Sequence, residues 1–467
     1  MFESCDEPTL LAAMSCAQRD ERAAVARRLL AAGRLCQVRM GDGDAMDRFQ
    51  WCVDNWEAVA AEVAAELGVS RGRASSEMNY GVELVERLPR LGAAMAAGLV
   101  DFRVIMVVVF RTGLITDADV LAVIDAQLAA AAPGWNALSR RRVTELVDWR
   151  VRALDPAAER VVRDRVEDRH VDIGESQNGV TQFWGALRTA DAAVVDRRLD
   201  LVAATVCGDD SRTKRQRRAD ALAALAAGQD SMVCDCGSAQ CPAADAGAAP
   251  AQVVIHVLAE AATVSGDGAT PGYLPGFGAV AAETVRDLAA RARLRPVKAA
   301  DEFSAEPQYR PSVALAEFIR VRDLWCRFPG CDVAAEFCDL DYSVPWALGG
   351  VTHPSNMHLK CRPHHLLKTF WCGENGWAEK QSPDGTIVFT SPSGRTYTTT
   401  PGGALFFPQL ATPTETLTPA VPRPDSAPGR TLMMPTRKRT RAAERAARTA
   451  WERGLNEARW AADPPPF

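Results

Sequence analysis

A chain of 467 residues is too long for a single core, and its 24% charged residues nearly cancel, leaving a net charge of -5. That balance excludes a global attraction to nucleic acid, so any such contact must come from local patches. The acidic start MFESCDEPTL carries no basic segment followed by an apolar run, which argues against a secretory signal. The longest apolar run, Val104 to Phe110, is too short to cross a bilayer. Thirteen cysteines in an intracellular-looking chain point to metal ligands and buried thiols over disulfides.

From Pro8 to about Leu225 the sequence predicts helix after helix. Apolar residues recur at three and four, as in Leu10, Leu11 and Met14, and again in Val59, Val63 and Leu67. Gly68, Pro89, Gly98, Gly113, Pro133 and Pro156 punctuate the run. The segment 57–80, EAVAAEVAAELGVSRGRASSEMNY, has the pattern of a helix-turn-helix, with Arg71 and Arg73 at the start of its second helix. An ordinary helical hairpin inside a bundle has the same pattern. Lys214, Arg215, Arg217 and Arg218 form a basic run that suits either phosphate contact or a solvated helix face.

Ser231 to Gly247 is a loop of small and polar residues containing Cys234, Cys236, Cys241 and Pro242. Gln252 to Ala262 is β-branched and apolar, which predicts a buried strand. Helices are expected over Val280 to Leu294 and Ser312 to Leu324.

The segment from Cys326 to Trp371 holds the chemistry. Cys326 and Cys331 flank the turn Phe328-Pro329-Gly330, and Cys361 and His364 follow with two residues between them. Three thiolates and an imidazole are a tetrahedral zinc set; Cys338 is a spare candidate. A second group is built by a short strand ending at Asp341-Tyr342, a glycine-containing loop closed by Asn356, a return strand Met357 to Lys360, and a helix opened by Pro363. Adjacent helical residues point about 100° apart. His364 can therefore serve the thiolates while His365 turns to Asp341. Beyond the block, Asp384-Gly385 and Ser393-Gly394 are hairpin signals, and Pro408 to Pro435 has the composition of a disordered linker. The tail from Arg437 to Trp460 predicts a basic helix that suits either phosphate contact or solvent.

These segments resemble the HNH (ββα-metal) nuclease motif, and with RFPGC, GGVTHPSNMHLKCRPHHLLKTFW, SPDGTIVFTSPSGRTYTTTPGG, GVTQFWGALRTADAAVVDRRLD and VVIHVLAEAATVSG the chain is similar to actinobacterial HNH endonuclease-type proteins. In mycobacteria these form the thirteen-E-twelve repeat family. The resemblance spans about Val59 to Thr400 and then the basic tail. It implies DNA as partner and phosphodiester hydrolysis with a divalent ion (Mg2+, Mn2+, Ni2+ or Zn2+) held by Asp341 and His365. Asn356 would orient, and a histidine would act as base. Tyr342 stands where the motif has that histidine. Tyrosine has a reference pKa of about 10 against about 6.5 for histidine, a deficit of roughly 4 kcal/mol at neutral pH. Three outcomes stay open: Tyr342 activated by the ion, His353 or His358 replacing it as base, or a lapsed site whose fold is retained for DNA binding or regulation.

The expected architecture is mainly α. It comprises a helical domain over 1–300, a ββα-metal module with a zinc knuckle over 301–375, a short β-meander over 376–407, a linker over 408–435 and a basic helical tail over 436–467.

Overall fold

A computed structural model describes residues 2–3, 5–40, 48–161, 169–177, 179–244, 256–290, 292–371, 373, 376–415, 417 and 433–462. The chain divides into two compact units, one of Met1–Val161 with Pro296–Phe467, the other of Val162–Arg295. The fold is mainly helical, with small antiparallel sheets. No helix among the described residues is long and apolar enough to cross a membrane.

In the first unit, seven helices come first: α1 (Glu7–Met40), α2 (Asn55–Leu67), α3 (Arg71–Val82), α4 (Pro89–Ala96), α5 (Phe102–Thr112), α6 (Ala118–Ala131) and α7 (Arg140–Leu154). Their starts follow from side chains that accept a backbone N–H: Asp54 caps α2, Ser70 α3, Asp101 α5, Asp117 α6 and Ser139 α7. The core of this layer includes Leu29, Leu84, Leu91, Ile105, Val108, Ile124, Leu128 and Val147. Helices α1 and α3 cross backbone on backbone. A Cβ on Gly81 would lie 2.0 Å from the Leu29 carbonyl oxygen, and one on Gly33 2.3 Å from the Gly81 carbonyl carbon.

The same unit then continues with α12 (Val313–Asp323), the ribbon β5 (Cys338–Tyr342) and β6 (Met357–Cys361), α13 (Arg362–Phe370), the meander β7 (Ala378–Gln381), β8 (Ile387–Thr390) and β9 (Thr396–Thr399), and α14 (Arg441–Ala462). In the ribbon, Asp341 pairs with His358 and Asp339 with Lys360, so these four share one face. The other face carries Leu340, Tyr342, Met357 and Leu359 into a core with Leu315, Phe318 and Ile319 of α12. The meander turns at the two glycine dipeptides expected of it.

The metal-block module is not a satellite of the helices. Val53, Ala61 and Ala65 share a core with Cys326, Phe328, Leu367, Trp377 and Phe389. The tip of the knuckle is seated on the α2–α3 turn, where a Cβ on Gly330 (φ +76°) would fall 2.4 Å from the Val69 carbonyl oxygen. Residues α2 and α3 do form a helical hairpin, yet Arg71 pairs with Glu57 and Arg73 with Glu77. The tail helix also lies on this layer. Arg441 pairs with Asp54 and Glu57, Arg445 with Glu83, Arg453 with Asp155 and Arg459 with Glu159.

The second unit holds the hairpin β1 (His170–Gln177) and β2 (Val180–Ala186), then α8 (Thr189–Ala203), α9 (Lys214–Ala226), α10 (Ala261–Ser265), the hairpin β3 (Gly272–Leu274) and β4 (Gly278–Val280), and α11 (Ala282–Ala289). Two expectations are corrected here. The uninterrupted helical run gives way to β1 and β2, whose Val171 and Ile173 alternate with polar residues at period two. The strand predicted over 252–262 falls partly outside the described residues. Within them, Leu258 makes one bridge to Tyr273 before α10 begins. In the basic run of α9, Lys214 and Arg218 pair with Asp196 and Asp200 of α8. Most of the predicted linker, 418–432, lies outside the described residues.

The α1–α3 crossing gives a paired test. Gly81→Ala forces two backbones apart and should cost about 1–3 kcal/mol, read as a lowered thermal midpoint. Gly72→Ala, exposed in α3 with open space around its Cβ position, should leave the midpoint unchanged or raise it.

Candidate functional site

The knuckle donors are gathered by three short pieces of chain. Cys326 follows α12, Cys331 follows the Phe328-Pro329-Gly330 turn, and Cys361 with His364 lies at the junction of β6 and α13. All four donor atoms lie within 4.8 Å of one another. His364 Nδ1 is 3.2 Å from Cys361 Sγ and 3.5 Å from Cys326 Sγ, and Cys331 Sγ is 3.9 Å from Cys361 Sγ. Donors on one tetrahedral ion with bonds of about 2.0–2.3 Å stand roughly 3.3–3.8 Å apart. The four can therefore hold a metal ion. The Phe328 ring stacks on the His364 ring at 4.1 Å and fixes its plane. Cys338 borders the set, within side-chain hydrogen-bond reach of Cys326, and its Sγ also lies 3.3 Å from the carbonyls of Val333 and Ala334.

The base of the knuckle is held by a buried charge group. Asp323, fully buried, accepts hydrogen bonds from Arg322, Arg327 and the Leu359 N–H. Arg322 also donates to the carbonyls of Pro354 and Met357, and Arg327 to that of Thr399. One carboxylate thereby ties α12 to β6, and its arginines reach the loop before β6 and the end of β9.

The second group lies on the polar face of the ribbon. Asp341 Oδ1 is 3.7 Å from His365 Nε2, and His365 Nδ1 is 2.8 Å from Asp339. The two predicted ion ligands are thus neighbours. The other oxygen, Asp341 Oδ2, accepts hydrogen bonds from Lys360 at 3.2 Å and Lys368 at 3.0 Å. Both ammonium groups also pair with Glu379 of β7, Lys368 at 2.6 Å. Lys360 Nζ donates to His358 Nε2 at 2.6 Å. Sequence reasoning assigned no role to Lys360 or Glu379. Glu379 lies outside the motif, and its arrival depends on how the meander packs on the ribbon.

Asp341, His358 and Glu379 have donor atoms close enough for an ion, yet this face fits a divalent ion poorly. Two carboxylates would attract a dication by roughly 8 kcal/mol each at about 4 Å and an effective dielectric near 20. Two ammonium groups at similar distances cancel that attraction. Burial alone would raise the Asp341 pKa, but Lys360 and Lys368, then His358 and His365, hold it well below the ordinary carboxylate value. Burial likewise opposes the charge on Lys360, and Glu379 and Asp341 outweigh it, raising its pKa.

The remaining predicted residues do other work. Tyr342 points to the apolar face, where its hydroxyl bonds the Tyr309 carbonyl and, at 2.9 Å, Thr352 Oγ1. Its ring stacks on Tyr309 at 5.5 Å. Asn356 accepts the Val344 N–H and donates to the carbonyls of Val344 and Val351, pinning the loop between the strands. His353 is buried between Ser355 and the Phe303 carbonyl, and burial lowers its pKa. His358 is fully buried. Gln381 Nε2 donates to the carbonyls of Pro354 and Met357, which turns its Oε1 to His358 Nδ1 at 3.1 Å. With Lys360 donating to Nε2, His358 is neutral with its proton on Nδ1. Burial first, then Lys360, depresses its pKa well below 6.5.

Residues 16–323 match the family described as "Domain of unknown function (DUF222)". The chain belongs to this DUF222 family. The uncharacterized protein Rv3776 of Mycobacterium tuberculosis (strain ATCC 25618 / H37Rv) is 43% identical, over 97% of this chain and 91% of its own length. The uncharacterized protein MT2160 of Mycobacterium tuberculosis (strain CDC 1551 / Oshkosh) is 43% identical, over 97% of this chain and 88% of its own. No solved structure matches the chain. The DUF222 match ends at Asp323, so the knuckle and the ribbon lie beyond it.

The buried neutral His358 gives a pH test. Its folded pKa is depressed, so the unfolded chain binds a proton near pH 6.5 that the folded chain refuses. Its contribution is present above that pH and lost as pH falls below it. The thermal midpoint should drop between pH 7.5 and 5.5, and His358→Gln should flatten that slope.

Proposed function

We propose that this chain is a DNA-binding protein whose carboxy-terminal module is an HNH-type ββα-metal fold, stapled by zinc, in which phosphodiester hydrolysis has lapsed. The position of Lys360 Nζ among Asp341, His358 and Glu379 is the observation that carries the reading. Lys360 and Lys368 supply the two positive charges that the acid face of such a module would otherwise take from a divalent ion. Tyr342, in the place of the base, has its hydroxyl engaged on the opposite face of the ribbon. Zinc is assigned to Cys326, Cys331, Cys361 and His364 from the donor chemistry, three thiolates and an imidazole. DNA as partner and a cytoplasmic setting rest on the resemblance of the Cys326–Trp371 block to HNH nucleases. Arg441, Arg445, Arg453 and Arg459 of α14 are already paired within the chain.

A second reading, a working HNH endonuclease, draws on one feature, the approach of His365 Nε2 to Asp341 Oδ1. A nicking assay on supercoiled plasmid with Mg2+ or Mn2+ separates the two. The natural protein should leave the plasmid intact while retarding it in a gel, with retardation weakening as salt rises. The double variant Tyr342→His with Lys360→Leu should also leave the plasmid intact, since residue 342 faces away from Asp341 and Lys368 still pairs with both acids. Nicking by the natural protein that His365→Ala abolishes would establish the second reading instead. Failure to retard any DNA would remove the partner assignment.

The staple has its own test. Chelating the metal, or Cys361→Ser, should lower the thermal midpoint by several degrees or more, because ion binding to the folded state alone is folding free energy.

A further inference from the structure

We infer that the second unit holds a metal site of its own, a four-thiolate zinc centre made by Cys207, Cys234, Cys236 and Cys241. It is independent of the knuckle and of the reading of the ribbon.

The four residues come from two places in the chain. Cys207 lies just past the end of α8, and the other three sit in the loop beyond α9. Their sulfur atoms all lie within 4.8 Å of one another, with Cys207 and Cys234 at 3.4 Å. Tetrahedral zinc with bonds of about 2.3 Å sets its sulfurs about 3.8 Å apart. A disulfide needs about 2.05 Å and would engage only two of the four. The convergence of all four on one point is what an ion requires and what pairwise oxidation does not.

The surrounding chain is ordered to keep that convergence. Thr205 Oγ1 accepts the Met232 N–H, so the exit of α8 is tied to the start of the cysteine loop. Arg212 donates to the Val233 carbonyl, and Asp210 accepts the Asp235 N–H on the residue between Cys234 and Cys236. Gly237 adopts φ +70°, a left-handed conformation that lets the chain reverse directly after Cys236. Cys234 donates to the Ala243 carbonyl and Cys241 to that of Ser238, closing the loop on itself. None of these bonds uses a sulfur, so all four thiols remain available as ligands.

The unit also needs a staple. The core between α8 and α9 consists of Val202, Ala203, Ala221, Ala224 and Met232, with Leu199, Val206 and Leu225 partly covered. Three of the five buried residues are alanines, which bury little surface. Small units with so slight a core are held by metals or disulfides. An ion here would fix the end of α8 to the chain leaving α9, across 27 residues of sequence.

The test counts zinc and its ligands in the full-length protein. Elemental analysis should find two zinc ions per chain. X-ray absorption at the zinc edge should find about 3.5 sulfurs per ion, the mean of one four-sulfur site and one three-sulfur site. The double variant Cys234→Ser with Cys236→Ser should lose one ion and leave the other with three sulfurs. Cys326→Ser with Cys361→Ser should lose the other and leave four. If a variant does not fold, the sulfur count of the natural protein still decides. One zinc with three sulfurs, or two zincs retained in the Cys234/Cys236 variant, would overturn the proposal. A disulfide among these four cysteines in the natural protein would do the same.

Discussion

Four charges on one face of a two-stranded ribbon organise the carboxy-terminal module. Asp341 and Glu379 are buried acids, and Lys360 and Lys368 reach both of them. Neither acid can lose its partners without leaving a buried charge uncompensated, which is costly where water does not reach. Removing Lys360 would leave both carboxylates to Lys368 alone. The quartet also joins pieces that are otherwise separate, since its members come from β5, β6, α13 and β7. A group whose charges balance in this way fixes the packing of the meander on the ribbon. It also occupies the space where an ion would need open carboxylate oxygens. The same interaction that holds the module together is the one that closes it.

The knuckle and the helical layer are coupled by contact. Gly330 rests on the α2–α3 turn with no room for a side chain, and Cys326, Phe328 and Cys361 share a core with Val53, Ala61 and Ala65 of the helical layer. Trp371 donates its indole N–H to the Val53 carbonyl. An ion held at the knuckle would therefore stabilise a junction as well as a loop. The hairpin of α2 and α3 is engaged at its turn by the module, and its leading arginines are paired to carboxylates.

Much of the module was legible before any coordinates. The ribbon, α13, the glycine turns of the meander and α12 all follow from local chemistry: Pro363 at a helix start, Ser312 as a cap, and glycine where a hairpin needs positive φ. The spacing of Cys326, Cys331, Cys361 and His364 was equally plain, because each half is a close pair of donors that marks itself in the sequence. What escaped depends on partners distant in sequence. Glu379 joins the ribbon only through the pairing of β7 with β8 and the packing of that sheet. The hydroxyl of Tyr342 finds Tyr309 and Thr352 because the pleat sends it to the opposite face from Asp341. The β1–β2 hairpin was hidden because its period-two alternation is brief and its apolar residues Val171, Ile173, Val180, Phe183 and Trp184 stay exposed. Cys207 was missed as a companion of Cys234 because it stands alone in its stretch of sequence, with no second donor beside it, and α9 intervenes.

The tail helix shows how charge in a sequence can mislead. A run of arginines suggests an external anion, and here Arg441, Arg445, Arg453 and Arg459 find theirs inside the same polypeptide. Their acidic partners, Asp54, Glu57, Glu83, Asp155 and Glu159, belong to the first third of the chain and are largely covered in the finished fold. During synthesis those acids leave the ribosome several hundred residues ahead of the tail. Three of them already have a base close by in sequence, Arg71 on Glu57, Arg87 on Glu83 and Arg152 on Glu159, so the final helix adds a second set of ion pairs to a layer that can balance most of its own charge.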